Sequence, residues 1–340
     1  MKIINVLVIM YMIAAKSFGD LARFEALVID ADTGLPISNV VVEASFGNDN
    51  GWKAWTESAP INHDTQTTDS YGRCRLSGKT NNGEVGCWVG SKQQNHYGVK
   101  SAIEFKLKRR NLFGVWQPEN LVVTMALQRV ECPIPLFVKS VCLCEEQDIG
   151  DRFGGRLSYD LLIGDWLPPM GKGARADIIV ERFPRKILGH AELHGRPDIA
   201  GNSFHDEVKI TFPGKGNGII DMNDVLKGGL PIKTAPNDGF AAVYTLWQEV
   251  DSNLKYKNSN NKGKCLCFRI RTQMDGQGCI KRAYYGKIYG DINIRLGYAY
   301  SIGGIGFLYY LNPTQNDRNL EWDQKNNFCA NSGTIGQPQP

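Results

Sequence analysis

The chain has 340 residues, with 39 Lys and Arg against 35 Asp and Glu, so its formal net charge is +4 at neutral pH. Loss of Lys2 and Lys16 with an N-terminal leader would lower that charge to +2 (4 − 2). Such a charge gives no electrostatic reason to bind nucleic acid or an anionic membrane. Hydrophobic residues make up 42% of the chain, which is enough to fill hydrophobic cores. The length suits two domains of roughly 100–200 residues each.

The first 19 residues are typical of a secretory signal peptide. Lys2 precedes an apolar run from Ile3 to Ala15, and Ser17 and Gly19 are small residues at the positions that a signal peptidase reads. The run is shorter than the roughly 20 residues that span a bilayer, and no later segment is long and apolar enough. We expect cleavage after Gly19 and a protein that is secreted or resides in the periplasm or cell envelope. The alternative is a buried N-terminal strand or helix.

Strand patterns follow one another along the chain, separated by clusters of Gly, Asn, Asp and Pro. AIEFKLK (102–108), FRIRT (268–272) and INIRL (292–296) alternate apolar and polar residues, which predicts strands with one solvent-facing side. Few windows after the leader show helical spacing. The sequence therefore predicts an all-β protein made of sandwich or barrel domains.

Two turn motifs organise the N-terminal part, one in FEALVIDADTGLPISNVVVEAS (24–45) and one in TTDSYGRCRLSG (67–78). In each motif a glycine can adopt positive φ, and a proline fixes the backbone of the first turn, so the chain reverses between two strands. The positions that carry the motifs are Val28, Asp30, Thr33, Gly34, Pro36, Ile37 and Val40 to Val42, then Thr68, Asp69 and Gly72.

These positions resemble the carboxypeptidase regulatory-like domain family. The resemblance covers about residues 22–128 and implies a seven-stranded, transthyretin-like β-sandwich, to which we assign residues 22–130. It also implies an accessory module that folds, spaces, docks and sometimes binds glycan, without catalytic residues.

The chain departs from the family pattern by a long insertion, GNDNGWKAWTESAPINHD (47–64). Trp52 and Trp55 lie three residues apart in it, close to Asp49. Sugar C–H groups stack on indoles while carboxylates bond hydroxyls, so these three residues are candidate ligand-binding residues. The alternative, which the sequence favours, is that both indoles fold back as a lid on the sandwich.

A domain boundary is expected near Val130, where a predicted strand ends and the proline-containing segment 131–135 follows. Residues 133–330 are assigned to a second β-rich, sandwich-like domain of no recognised family, and residues 331–340 to a polar tail. Within this domain, the stretch GDWLPPMGKGARADIIVER (164–182) is either a ligand loop around Asp165 and Trp166 or a stiff connection between strands. The connection is favoured, because Gly-x-Gly without a following helix is no nucleotide-binding motif.

The segment HAELH offers a candidate metal site. On a strand, His190, Glu192 and His194 would share one face, which suits zinc or copper but also describes any wet sheet face. No His is followed by Glu three residues later, so the metal site of a carboxypeptidase is excluded. No cofactor is predicted.

Nine cysteines in an exported chain predict disulfides, with one thiol left over. Cys74 and Cys87 flank a turn-rich segment and are candidates for a bridge within one hairpin. The triplets Cys142-Leu143-Cys144 and Cys265-Leu266-Cys267 each present two sulfurs on one strand face. Four such thiolates could also hold zinc, although the spacing is unusual for a zinc site.

Taken together, these patterns predict an exported, non-catalytic binding or structural protein of the cell envelope or extracellular space. Its partner would be a glycan or another envelope protein. The alternative is a secreted glycan-active hydrolase with its active site in the C-terminal domain, since a catalytic carboxylate pair is not visible in one sequence.

The signal peptide gives the first testable prediction. Protein recovered from the exported fraction of an expressing cell should lack residues 1–19, as an intact mass measurement would show. An exported protein that retains Lys2 would contradict the assignment.

Overall fold

The computed structural model describes residues 21–46, 62–80, 83–89, 96–104, 111, 114–144, 156–183, 186–190, 202–222, 232–251, 255–259, 265–296 and 302–329. The chain divides into two compact units, Met1–Glu131 and Cys132–Pro340. The described residues form β-strands and no helix, which confirms the all-β prediction. Among them there is accordingly no helix with the length and hydropathy of a membrane span.

The N-terminal unit contains seven described strands in two sheets, as the sequence predicts for a sandwich. One sheet has the order β4-β1-β7 and the other the order β3-β2-β5-β6. The strands are β1 (Leu21–Asp30), β2 (Val41–Phe46), β3 (Asn62–Thr67), β4 (Arg73–Lys79), β5 (Glu84–Val89), β6 (Val99–Glu104) and β7 (Leu121–Leu127).

The hydrophobic core of this unit lies between its two sheets. Phe24, Ala26 and Val28 alternate along β1 and are buried, and residues of β2 and β5 meet them from the facing sheet. Because successive side chains of a strand point to opposite faces, burial of every second residue exposes those between them.

Asp30, the last residue of β1, closes the first turn motif. Its Oδ1 accepts hydrogen bonds from the backbone N–H of Asp32 (3.1 Å) and Thr33 (2.9 Å), and its Oδ2 accepts one from Nε of Arg129 (2.9 Å). Burial acts to raise the pKa of Asp30, but the hydrogen bonds from Thr33 and Asp32 and the nearby ring of His96, 3.5 Å away, outweigh it and lower the pKa to about 2. The turn is therefore built around an ionised carboxylate.

The C-terminal unit contains two larger sheets. One has the order β10-β9-β11-β13-β15-β16, with β12 also paired to β13, and the other has the order β14-β17-β18-β19-β8-β20. The strands are β8 (Ile134–Cys144), β9 (Arg156–Asp160), β10 (Asp165–Trp166), β11 (Ile178–Arg182), β12 (Lys186–His190), β13 (Asn202–Thr211), β14 (Gly218–Asp221), β15 (Val243–Val250), β16 (Tyr256–Asn258), β17 (Cys265–Met274), β18 (Ile280–Leu296), β19 (Ile302–Leu311) and β20 (Trp322–Asn327).

The two sheets of the C-terminal unit pack face to face. Their shared core includes Val208 and Leu246 from the first sheet and Phe268, Ile288 and Tyr309 from the second. The second sheet also buries side chains on its other face, where Cys267 and Tyr285 pack against the segments around Ile232 and Leu320.

The covered second sheet corrects one expectation. The alternation in FRIRT predicts a solvent-facing side, yet Arg269 is buried, with its guanidinium 4.6 Å from the ring centroid of Phe240. Its Nε donates to the carbonyl of Gly216 (2.6 Å) and its Nη1 to that of Asn237 (2.9 Å). Burial is tolerated because backbone carbonyls replace the water that these donors lose.

Lys287 is buried in the same sheet, opposite Cys267 on β17 and Tyr310 on β19. Its Nζ donates to the carbonyl of Ile232 (3.1 Å) and lies 5.1 Å from the ring centroid of Tyr310. Burial lowers the pKa of Lys287 to about 8, although neighbouring acidic groups, Cys267 foremost, act in the opposite direction.

Arg271 joins the two sheets of the C-terminal unit through two buried carboxylates. From β17, its Nε donates to Oδ1 of Asp177 (2.8 Å), and its Nη2 donates to Oδ2 of Asp177 (2.8 Å) and to Oδ1 of Asp160 (2.7 Å). Both carboxylate side chains are 1% exposed, so the ion pairs that they form with the Arg271 guanidinium are shielded from water.

The same carboxylates fold the segment 161–177, for which the sequence favours a stiff connection between strands. Oδ2 of Asp160 accepts hydrogen bonds from the backbone N–H of Ala174 (3.1 Å) and Arg175 (3.0 Å), and Oδ2 of Asp177 accepts one from Leu161 (3.0 Å). Burial acts to raise the pKa of Asp160, but the backbone hydrogen bonds and Arg271 lower it overall. The segment is therefore held at both ends by charge-assisted hydrogen bonds.

The cysteines correct a second expectation. No disulfide joins the eight cysteines whose side chains the structure describes. The predicted Cys74–Cys87 bridge within one hairpin is wrong, because β4 and β5 belong to different sheets and do not form a hairpin. Both side chains lie in the core between the sheets, where no disulfide joins them. Burial raises the pKa of Cys74 to about 11 and that of Cys87 to about 12, so both thiols are protonated at neutral pH.

The two Cys-Leu-Cys triplets do not come together. The first triplet lies on β8 and the second on β17, and β18 and β19 separate these strands in the sheet. Cys142 is exposed, whereas Cys265 and Cys267 are buried. This sheet order does not assemble four thiolates around one zinc ion.

The contacts of Arg271 predict a large effect on stability. Replacement by Ala leaves two buried carboxylates without their cation, so the free energy of unfolding from urea titration should fall by about 3–5 kcal/mol. Arg156→Ala is the matched control, since that side chain is 60% exposed and lies 3.6 Å from Glu181. It should cost less than about 1 kcal/mol. Equal losses for the two variants would contradict the bridging role of Arg271.

Lys287 predicts a pH dependence. Its pKa in the folded protein lies below the usual lysine value of 10.5, so its contribution to stability is lost as pH falls through about 8 and is fully present above 10.5. Between pH 7 and 10.5, unfolding titrations should show the wild type gaining roughly 3 kcal/mol relative to Lys287→Met. A difference between the two proteins that does not change with pH would contradict the assignment.

Candidate functional site

The outer face of the sheet β3-β2-β5-β6 in the N-terminal unit is the candidate site. On β5, Val85, Cys87 and Val89 are buried in the core, so Trp88 lies on the opposite, solvent face. The register places Glu43 of β2 directly opposite Trp88.

Two neighbours fix the indole of Trp88. Its Nε1 donates a hydrogen bond to Oε2 of Glu43 at 3.0 Å. The ring of His63 on β3 meets the indole edge-on, with the ring centroids 6.1 Å apart and an interplanar angle of 83°. Trp88 is partly exposed and His63 is exposed. The fixed indole of Trp88 therefore lies at the surface, beside an imidazole and a carboxylate.

Small and hydroxyl side chains surround this ring. Ser45 pairs with Gly86 on one side and His63 on the other, and Thr65 pairs with Glu43. At Gly86, a Cβ atom would meet only the edge of Trp88, at 4.0 Å, so the glycine leaves open space beside the indole. The face thus offers an apolar plane together with hydrogen-bond donors and acceptors.

Sequence reasoning missed Trp88, Glu43 and His63. The signal was present in EVGCWVG, where Val85, Cys87 and Val89 alternate as an inward set and leave Trp88 outside. The pairing with Glu43 and His63 is not visible in the sequence, because it depends on which strands become neighbours.

The predicted loop residues Trp52, Trp55 and Asp49 lie outside the described residues, in the segment of chain between β2 and β3. They stay predictions.

Asp165 and Trp166 lie in the segment held by Asp160 and Asp177. Asp165 accepts hydrogen bonds from the backbone N–H of Trp166 (2.8 Å) and Lys172 (2.9 Å). Trp166 is 8% exposed, and its ring stands edge-on to that of Tyr159 with the centroids 4.9 Å apart. In this structure both side chains shape the connection.

The predicted metal residues are not brought together by described contacts. His190 is the last residue of β12, and Glu192 and His194 lie outside the described residues. No group of three possible metal-ligating side chains occurs in the part of the chain that the structure describes.

The opposite sheet of the N-terminal unit carries a surface groove of about 660 Å³. Arg23, Glu25, Arg75 and Glu119 line it, and they form ion pairs with one another: Arg23 with Glu119 at 3.3 Å and Arg75 with Glu25 at 3.5 Å. Because these charges satisfy one another, the groove offers weaker recognition chemistry than the Trp88 face.

Comparisons with known proteins give only distant likenesses. No family model and no curated protein matches the chain. The 3-chlorocatechol 1,2-dioxygenase of Rhodococcus opacus 1CP is 14% identical, with 33% of this chain and 61% of that chain covered and a TM-score of 0.24. A streptococcal ancillary pilin is 9% identical, with 85% and 58% covered and a TM-score of 0.23.

A candidate carbohydrate-binding protein from Bacteroides uniformis is 8% identical, with 86% of this chain and 99% of that chain covered and a TM-score of 0.20. The chain spans less than two-thirds of the dioxygenase and of the pilin. At these scores the likenesses carry no argument about function.

Proposed function

We propose that this protein is an exported, non-catalytic, glycan-binding protein of the cell envelope or extracellular space. The observation that carries the proposal is the indole of Trp88, held on an outer sheet face by Glu43 and His63. Its N-terminal unit would serve as an accessory module of the carboxypeptidase regulatory-like kind, and the turn closed by Asp30 supports that resemblance.

The chemistry of the Trp88 face suits a neutral sugar chain. A pyranose ring presents C–H groups on one side, which pack against an indole, and hydroxyls around its rim. The carboxylate of Glu43 and the ring nitrogens of His63 lie beside the indole, and the hydroxyl of Thr65 lies on the next strand, opposite Glu43. These groups are acceptors and donors for the sugar hydroxyls. Since the face belongs to an open sheet, we expect it to take several units of an oligosaccharide.

The hydrolase alternative gains no support from the carboxylate pair that the structure brings together. Asp160 and Asp177 are buried, and both are bound to Arg271. A glycosidase needs one carboxyl group that gives up a proton and a second that meets the sugar or a water. This pair is bound to a guanidinium and does neither.

Replacement of Trp88 by Ala tests the proposal. Affinity of the full chain for neutral hexasaccharides of glucose, N-acetylglucosamine, mannose and xylose should be measured by calorimetry. With whichever of them binds, Trp88→Ala should weaken binding by roughly tenfold, because one aromatic contact contributes about 1–2 kcal/mol.

Tyr71→Ala is the matched control, because Tyr71 is an aromatic residue that is 72% exposed in the turn between β3 and β4. It should leave affinity unchanged, and both variants should keep the wild-type melting temperature to within a few degrees. Loss of affinity in both variants, or in neither, would contradict the assignment. The same assay on Trp52→Ala and Trp55→Ala separates a ligand role, which lowers affinity, from a lid role, which lowers only stability.

A further inference from the structure

The C-terminal unit presents a second aromatic surface, on the outer face of its first sheet. Val208 on β13 and Leu246 on β15 point into the core, so Glu207 and Trp247 point outward. The register makes Glu207 and Trp247 a cross-strand pair. Side chains paired in this way have Cβ atoms about 5 Å apart.

Trp247 is fixed in place by its neighbours. Its backbone N–H donates to the hydroxyl of Ser259 (2.9 Å), and that hydroxyl donates back to the Trp247 carbonyl (3.2 Å). The ring of His205 lies within 18° of parallel to the indole at a centroid distance of 6.0 Å, and Nδ1 of His205 is 3.3 Å from Oε2 of Glu249. Within the described part of the chain, the indole N–H of Trp247 has no acceptor, so it is available to a ligand.

Glu207 is the carboxylate of this face without an ion-pair partner among the described residues. The other acids of the face are matched: Glu181 lies 3.6 Å from Arg156 and 3.9 Å from Lys209, and Glu249 meets His205. The carboxylate of Glu207 is thus partly exposed, lies beside the indole of Trp247 and has no described cation to balance its charge.

A second aromatic side chain stands on the other side of Glu207. The backbone N–H of Phe183 donates to the carbonyl of Glu207 (3.0 Å), and Phe183 is 39% exposed. Glu207 therefore has Trp247 on the neighbouring strand β15 and Phe183, the residue that follows β11, on its other side. Aromatic ring faces attract cations, and the negative charge of a carboxylate between them attracts the same cation.

From this arrangement we infer that the face binds a glycan carrying protonated amines, an amino-sugar chain, at a site separate from the Trp88 face. A pyranose stacked on Trp247 presents its rim toward Glu207, one strand spacing away, so an amine on the ring reaches the carboxylate. The indole N–H and the paired His205 and Glu249 then meet hydroxyls of the same or the adjoining sugar. The inference does not depend on Trp88.

The test uses the full chain carrying Trp88→Ala, so that the first face does not contribute. The probe is the hexamer of glucosamine, at a pH where its amines are protonated, and binding is measured by calorimetry. Adding Glu207→Gln should weaken binding of the hexamer by roughly tenfold. In the parent protein, which keeps Glu207, raised salt should also weaken binding. The hexamer of N-acetylglucosamine, which lacks the charges, should bind the parent protein roughly tenfold more weakly than the amine form.

Glu181→Gln is the matched control, because it removes a carboxylate of the same face that already has cationic partners. It should leave affinity for the glucosamine hexamer unchanged, and all variants should melt at the temperature of the parent. Unchanged affinity in Glu207→Gln, or equal binding of the two hexamers, would overturn the inference. So would a hexalysine peptide that binds as tightly as the glucosamine hexamer and depends on Glu207, since the partner would then be a basic protein segment.

Discussion

Burial of alternate residues between paired sheets is the constraint on which both units of this protein depend. Neither sheet of a sandwich is stable alone, so each strand must give one face to the shared core. Once Cys87 and Val89 on β5, and Leu246 and Gln248 on β15, are buried, the residue between each pair must point to the opposite face of its sheet. The outward positions of Trp88 and Trp247 follow from the packing of their neighbours.

Buried carboxylates stabilise the connections between the strands of both units. Asp30 accepts hydrogen bonds from backbone N–H groups of a turn in the N-terminal unit. Asp160 and Asp177 accept them from backbone N–H groups of the 161–177 segment in the C-terminal unit. Each carboxylate also meets an arginine, Arg129 or Arg271. Backbone donors at these chain reversals thereby find acceptors without water, and the sheets keep fixed ends.

The sequence was most informative where structure is local. Strand periodicity predicted the all-β fold, and the pattern from Asp30 to Pro36 predicted a turn in which Gly34 has φ of +70°. Those features depend on residues within a few positions of one another. The side-chain roles of Asp165 and Trp166 were left open in the sequence, because their partners include Tyr159 and the amide of Lys172.

Features that depend on strand order were beyond the sequence. Cys74 and Cys87 flank one turn but enter different sheets, and Arg269 sits in a strand whose polar side is covered by a distant segment. The same limit hid the candidate sites. The neighbours of Trp88 are Glu43 and His63, and those of Trp247 are His205 and Glu207. Strand pairing brings these side chains together, and no local sequence pattern predicts it.

We propose that the outward indoles of this protein meet glycan, while the buried ones stabilise the fold. The most direct measurement is a ¹⁵N–¹H spectrum of the indole N–H groups during titration with a glycan that binds. Trp116, Trp166 and Trp322 are buried and act as internal references. The resonance of Trp88 or Trp247 should shift along a saturating curve, while the resonances of the three buried indoles should not move. A titration in which neither outward indole moves, or in which the buried ones move equally, would contradict it.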